Sequence, residues 1–152
     1  MTIAWIYLDK RTAAVEALKD YSSMEYIIQT CPDDITDVRE QMTVTASLAP
    51  TGMPTRQRDP HAGEARLAAS IDEIDVLKER YRRALEYMEW FNPAWDALTE
   101  DERFVLSEFY CDDGRQMDAV GNICERFRIE RSSAYNKKNR ALARLALLLY
   151  GK

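Results

Sequence analysis

The stretch MDAVGNICERFRIERSSAYNKKNRALARLALLL, residues 117–149, decides the fold expected for this chain. Its first half predicts a short helix with one apolar face, formed by Val120, Ile123, Cys124 and Phe127 at three- to four-residue spacing. Its second half predicts a longer helix with an apolar face of Ala134, Ala141, Leu145 and Leu148. A short helix packed on a longer one with a polar, cationic outer face is the layout of a helix-turn-helix, whose second helix enters a DNA major groove.

The polar face of the second predicted helix supplies the candidate DNA contacts. Short polar side chains and amides bond base edges, whereas Arg and Lys neutralise phosphates. The residues expected to face bases are Arg131, Ser132, Ser133 and Asn136. The residues expected to face phosphates are Arg128, Lys137, Arg140 and Arg144. The alternative is an ordinary solvated surface, because many helical hairpins have a basic outer face and bind nothing.

The distribution of charge favours the DNA hypothesis. Residues 126–152 contain eight Lys and Arg and one acidic residue, a net charge of +7. Because the whole chain carries −5, residues 1–125 carry −12. A cationic segment on an acidic body is a localised electrostatic footprint for nucleic acid.

The N-terminal half predicts helices separated by a linker. Residues 1–42 form an N-terminal helical region, in which a helix from Asp9 to about Cys31 ends at Pro32. Residues 43–63 contain three Pro and two Gly with almost no large apolar side chain, which predicts a flexible linker.

Residues 64–95 predict a long coiled-coil-like helix that Pro93 ends or kinks. Its apolar seam repeats at steps of four and three residues and consists of Leu67, Ile71, Ile74, Tyr81, Leu85 and Met88, with Lys78 interrupting it. The helix either folds back on the first helix of the same subunit or also pairs with a second copy as a homodimer. The seam does not decide between these alternatives.

Residues 96–152 complete an all-α chain as a three-helix unit. Thr99 and Glu102 have the spacing of a capping box, in which each side chain satisfies an unpaired amide at a helix start. The helix from Glu100 to Tyr110 is expected to bury Val105, Leu106 and Phe109.

Several classes of function have no support in the sequence. Residues Cys31, Cys111, Cys124 and His61 lack the paired spacing of a zinc site, so we expect reduced thiols and no metal or cofactor. No phosphate-cradling Gly-rich loop, HExxH or GxSxG motif is present, so we expect no enzyme. No apolar run reaches the ~20 residues that span a bilayer, and no signal peptide is recognisable, which predicts a cytoplasmic protein without a membrane partner.

Short motifs along residues 65–149 are similar to motifs of known helix-turn-helix proteins. They are Leu98-Thr99, Arg103-Phe104-Val105-Leu106, Phe109-Tyr110, Ile123-Cys124-Glu125, Ile129, Arg131-Ser132, Ala134-Tyr135 and Arg140-Ala141-Leu142. This order resembles region four of bacterial sigma factors and, more closely, the ArpU/RinA group of phage regulators of late, packaging and lysis genes. The chain departs from that pattern at three places: Arg128 stands where Gly is usual in the turn, Glu130 replaces the usual Ser cap, and Lys137 or Lys138 replaces an aliphatic residue.

The resemblance implies a sequence-specific, double-stranded DNA-binding transcription regulator of phage or prophage origin, acting in a bacterial host cell. Two alternatives stay open. One is a DNA-packaging adaptor of the small-terminase type, which also joins a helix-turn-helix to an oligomerising coil. The other is a module that contacts RNA polymerase as sigma region four does, with DNA contact secondary.

Overall fold

The described part of the chain is entirely helical. A computed structural model describes the backbone of residues 9–47, 60–111 and 116–151. The elements are α1 (Lys10–Ser47), α2 (Pro60–Ala97), α3 (Glu100–Leu106), a π-helical turn (Ser107–Cys111), α4 (Gln116–Phe127) and α5 (Arg131–Tyr150). The all-α prediction is therefore confirmed.

Helix α1 begins after Asp9, whose carboxylate accepts hydrogen bonds from Thr12 Oγ1 at 2.8 Å and from the Arg11 backbone N–H at 3.2 Å. The helix then continues through Pro32 to Ser47, so the predicted helix end at Pro32 is wrong. An interior proline costs a helix roughly 3 kcal/mol. Burial of Cys31 and Val38 on either side of Pro32 offsets that cost, because both side chains are less than a tenth exposed.

Helix α2 is the long helix that the seam predicts, but its bounds are wider. Pro93 lies inside it, so of the two effects predicted for Pro93, ending the helix is wrong, and a kink stays a prediction. The predicted linker, residues 43–63, is helical at both ends, because α1 reaches Ser47 and α2 begins at Pro60. Residues 48–59 of that linker lie outside the described residues.

The chain divides into two compact units. Unit 1 consists of Met1–Met24 and Tyr87–Lys152, and unit 2 consists of Glu25–Glu86. In unit 2, Cys31, Val38, Ile74 and Ala84 are buried. Three seam residues of α2 remain exposed, at 50% for Leu67, 46% for Ile71 and 39% for Leu85. Only part of the predicted seam is therefore covered within unit 2, and the homodimer stays a prediction.

Unit 1 contains a core that joins the start of α1, the end of α2, α3 and α5. Burying one large apolar side chain contributes roughly 1.5–3 kcal/mol, so this core fixes how α5 lies in unit 1. The tyrosine hydroxyl of Tyr87 on α2 donates a hydrogen bond to the Ala17 carbonyl on α1. The buried residues are Ala14, Ala17, Leu18, Phe91, Ala94, Leu98, Leu106, Ala141, Leu142, Leu145, Ala146 and Leu149.

A second cluster in unit 1 fixes α4 against α5. Its buried residues are Val105, Phe109, Val120, Ile123 and Ala134. The expected burial of Val105, Leu106 and Phe109 is confirmed, although the last turn of their helix is π-helical from Ser107. Among the described residues, none of the helices is both long enough and apolar enough to cross a membrane.

Candidate nucleic-acid interface

The N-terminus of α3 shows the predicted capping box. The Thr99 backbone N–H donates to Glu102 Oε2 at 2.9 Å, and the Glu102 backbone N–H donates to Thr99 Oγ1 at 3.3 Å. The Glu102 side chain also reaches α5, because its Oε1 lies 3.4 Å from Arg144 Nη1. This residue therefore links the first helix of the three-helix unit to the last.

The turn between α4 and α5 is tight. The Ile129 backbone N–H donates to the Cys124 carbonyl at 3.2 Å, across the end of α4. Arg128 has a φ of 53°, in the left-handed region where Gly is favoured, at a cost of roughly 1 kcal/mol for another residue. Arg128 thus has a backbone conformation that Gly adopts without strain, and its side chain is exposed at the turn.

Helix α5 begins after Glu130, which takes part in the cap through its backbone alone. The Glu130 carbonyl accepts the Ala134 backbone N–H at 3.0 Å, and its carboxylate makes no capping hydrogen bond. Its negative charge therefore lies at the start of the predicted base-facing surface.

The outward face of α5 carries uncharged polar side chains. Ser132 and Asn136 are exposed, as is Arg131, whereas Ser133 is half-buried. Asn139 is also exposed and continues the row from Ser132 and Asn136 at i, i+4 and i+7 spacing. The sequence-based assignment omitted Asn139, although this spacing was a signal that could have identified it. We call Ser132, Asn136 and Asn139 the polar row.

The predicted phosphate-facing cations fall into two groups. Arg128 and Arg140 are exposed, and neither forms an ion pair or hydrogen bond with another residue in the described part of the chain. Lys137 is half-buried, with its ammonium 4.5 Å from the centre of the Phe127 ring. Arg144 pairs with Glu102 and also donates to the Ala97 carbonyl at 3.5 Å. Two of the four cations are therefore engaged within unit 1.

Arg126, on α4, is a further cation close to this surface. Its guanidinium lies 4.1 Å from the centre of the Phe104 ring and 4.0 Å from the Glu100 carboxylate. Such stacking leaves the planar donors of an Arg directed along the surface of the ring. The sequence gives no sign of this arrangement, because Phe104 and Arg126 lie on different helices.

A groove of about 210 Å³ separates the start of α3 from α5. It is lined by Thr99, Asp101, Glu102, Val105, Lys137, Arg140 and Ala141. Two carboxylates thus lie opposite two cations of α5. The acids lower the positive potential on this flank, as the exposed Glu130 carboxylate does at the start of α5.

The described residues contain no group of three or more His, Cys, Asp or Glu side chains that could hold a metal ion. No protein-family model matches the chain, and no curated protein and no solved structure shows significant similarity to it.

Proposed function

We propose that this protein binds double-stranded DNA by placing α5 in the major groove. The observation that supports this most is the combination on one helix of an exposed polar row and exposed Arg residues. Hydroxyls, amides and the Arg131 guanidinium suit base edges, and the guanidinium groups of Arg128 and Arg140 suit phosphates. In this assignment α4, the turn and α5 act as a helix-turn-helix.

The charge of the remaining chain supports one orientation on DNA. Residues 1–125 carry −12 and residues 126–152 carry +7. Phosphates repel the acidic body and attract the cationic segment, so encounter is steered toward the α5 surface. We further propose, from the resemblance of residues 65–149 to the ArpU/RinA group, that the DNA lies upstream of late genes of a phage or prophage, whose transcription the protein regulates.

The test is a salt-titrated binding assay with two variants. Arg140→Ala is expected to weaken binding to all sequences and to reduce the slope of log K against log salt by about one unit, because one phosphate contact is lost. Asn136→Ala is expected to leave the slope unchanged and to relax discrimination at one base pair by ~1–3 kcal/mol. Unchanged binding in both variants would refute the assignment of α5 as the reading helix.

The oligomeric state of the protein in solution would distinguish a transcription regulator from a packaging adaptor. The exposed Leu67, Ile71 and Leu85 on α2 favour pairing with another copy, since apolar side chains gain free energy when they leave water. A dimer in light scattering supports the regulator. A closed ring of subunits supports the adaptor. Salt-insensitive capture of RNA polymerase in the absence of DNA supports the polymerase-contacting module.

A further inference from the structure

Asn139 lies where a second base-reading amide would be placed. It is exposed on α5, three residues after Asn136, and the opposite face of the helix is buried through Ala134, Ala141 and Leu145. Ala143, one turn further on, is a small, half-buried residue on the same side, and Ala146 beyond it is buried. No long side chain at that position holds this part of the helix away from a groove floor.

The spacing of the two amides exceeds the rise between successive base pairs. Three residues of α-helix rise ~4.5 Å, and Cβ atoms three residues apart on one face are ~5–6 Å apart. Successive base pairs rise ~3.4 Å. Side chains of equal length at Asn136 and Asn139 therefore reach neighbouring base pairs and not the same one.

The chemistry of the amide selects the base. An Asn side chain donates to N7 and accepts from the N6 amino group of adenine, a bidentate pair that no other base offers in the same geometry. We infer that Asn139 determines sequence specificity together with Asn136, and that the two amides bind adenines of two neighbouring A·T pairs. This inference rests on the proposed function, because it requires α5 to enter the major groove.

Asn139 differs in its surroundings from Asn122, an exposed amide on α4. The Asn122 amide on α4 donates to Glu108 Oε2 at 3.1 Å, so its hydrogen bonding is partly satisfied within the protein. The side chain of Asn139 forms no hydrogen bond with any residue in the described ranges. Asn122→Ala therefore provides a matched control: the same substitution, in the same unit, away from the polar row.

The experiment uses the full-length chain. A preferred duplex is first selected from randomised DNA, and affinities are then measured at fixed salt for duplexes changed at one base pair at a time. The proteins compared are the wild type, Asn136→Ala, Asn139→Ala and Asn122→Ala. Ala has the highest helix propensity, so the two substitutions in the exposed row of α5 do not impair its folding.

The expected result is that Asn139→Ala loses discrimination against the wrong base by about 5- to 100-fold at one A·T pair, next to the pair affected by Asn136→Ala. Its salt slope stays that of the wild type, and Asn122→Ala keeps the wild-type profile. In a second variant, Asn139→Asp, the same pair loses its preference for adenine, because a carboxylate cannot donate to N7.

Three outcomes overturn the inference alone while the wild type binds DNA. Asn139→Ala retains the full wild-type base preference, or it relaxes the same base pair as Asn136→Ala, or Asn122→Ala relaxes specificity equally. If the wild type shows no salt-dependent binding to any duplex, the proposed function fails, and the role of Asn139 fails with it.

Discussion

Replacing Glu102 by Gln is expected to destabilise the protein slightly and to strengthen its binding to DNA. The carboxylate of Glu102 accepts the Thr99 backbone N–H at one oxygen and lies 3.4 Å from Arg144 at the other. A glutamine amide oxygen still accepts the Thr99 N–H, so the cap persists. What is lost is the negative charge that holds Arg144.

The two effects have different sizes. A solvent-exposed ion pair contributes roughly 0.2–1 kcal/mol, and a carboxylate at a helix N-terminus contributes roughly 0.3–1 kcal/mol. Glu102→Gln should therefore lower the free energy of unfolding by ~0.5–2 kcal/mol. On DNA, Arg144 becomes available to a phosphate, which should steepen the salt slope by about 0.9. The substitution also removes a negative charge that repels the DNA phosphates. If that repulsion is ~1 kcal/mol, its loss raises the affinity for DNA about fivefold.

Urea unfolding and fluorescence-anisotropy salt titrations measure the two quantities on the same preparation. Glu25→Gln, at an exposed position of α1, is the control, since it changes net charge equally without touching a cation of α5. If Glu102→Gln binds DNA no more tightly than Glu25→Gln, with an unchanged salt slope, then Arg144 is not restrained by Glu102 in the way argued above.

Two further predictions concern the turn and the surface of α2. Arg128→Gly should raise the free energy of unfolding by roughly 0.5–1 kcal/mol, because Gly adopts positive φ without strain, and should flatten the salt slope by about one unit; a lower urea midpoint would contradict this. The Arg82 guanidinium, helped by Arg83, lowers the pKa of the Glu79 carboxyl from 4.5 to about 2. Because this pKa is lowered by folding, the stabilisation is complete above pH 4.5 and is lost as the pH falls toward about 2. An NMR titration of Glu79 in the wild type and in Arg82→Ala tests the shift, and a wild-type pKa near 4.5 would disprove it.

Local sequence signals predicted the helices and caps well. The capping box at Thr99 and Glu102 depends on groups three residues apart, so its geometry follows once the helix starts there. Burial of Ala134, Ala141 and Leu145 follows from the 3.6-residue period of α5. Leu148, assigned to the same face, is instead 41% exposed, because the core of unit 1 covers Leu149 and not Leu148 at this end of the helix.

The helix ends predicted at Pro32 and, as one of two alternatives, at Pro93 are wrong for a reason that the sequence does not show. An interior proline destabilises a helix by a similar free energy wherever it occurs. The free energy that compensates for it comes from burial of nearby apolar side chains, and that burial depends on the tertiary structure. At Pro32 the neighbouring Cys31 and Val38 are buried, and α1 continues. At Pro93 the neighbouring Phe91 and Ala94 are buried, and α2 continues to Ala97.

The sequence by itself determined the helical class, the cap of α3 and the position of a basic, polar surface on α5, because each depends on residues within a few turns of one another. Only the tertiary structure decided which of those polar side chains are available to a partner. Arg144 is engaged by Glu102, 42 residues away in sequence, and Lys137 lies against the Phe127 ring of another helix. Asn139 remains exposed, whereas Ala146, two turns further along the same side of α5, is buried in the core of unit 1. Packing between helices determines which polar side chains of α5 a partner can reach. The spacing of residues along a single helix does not specify that packing.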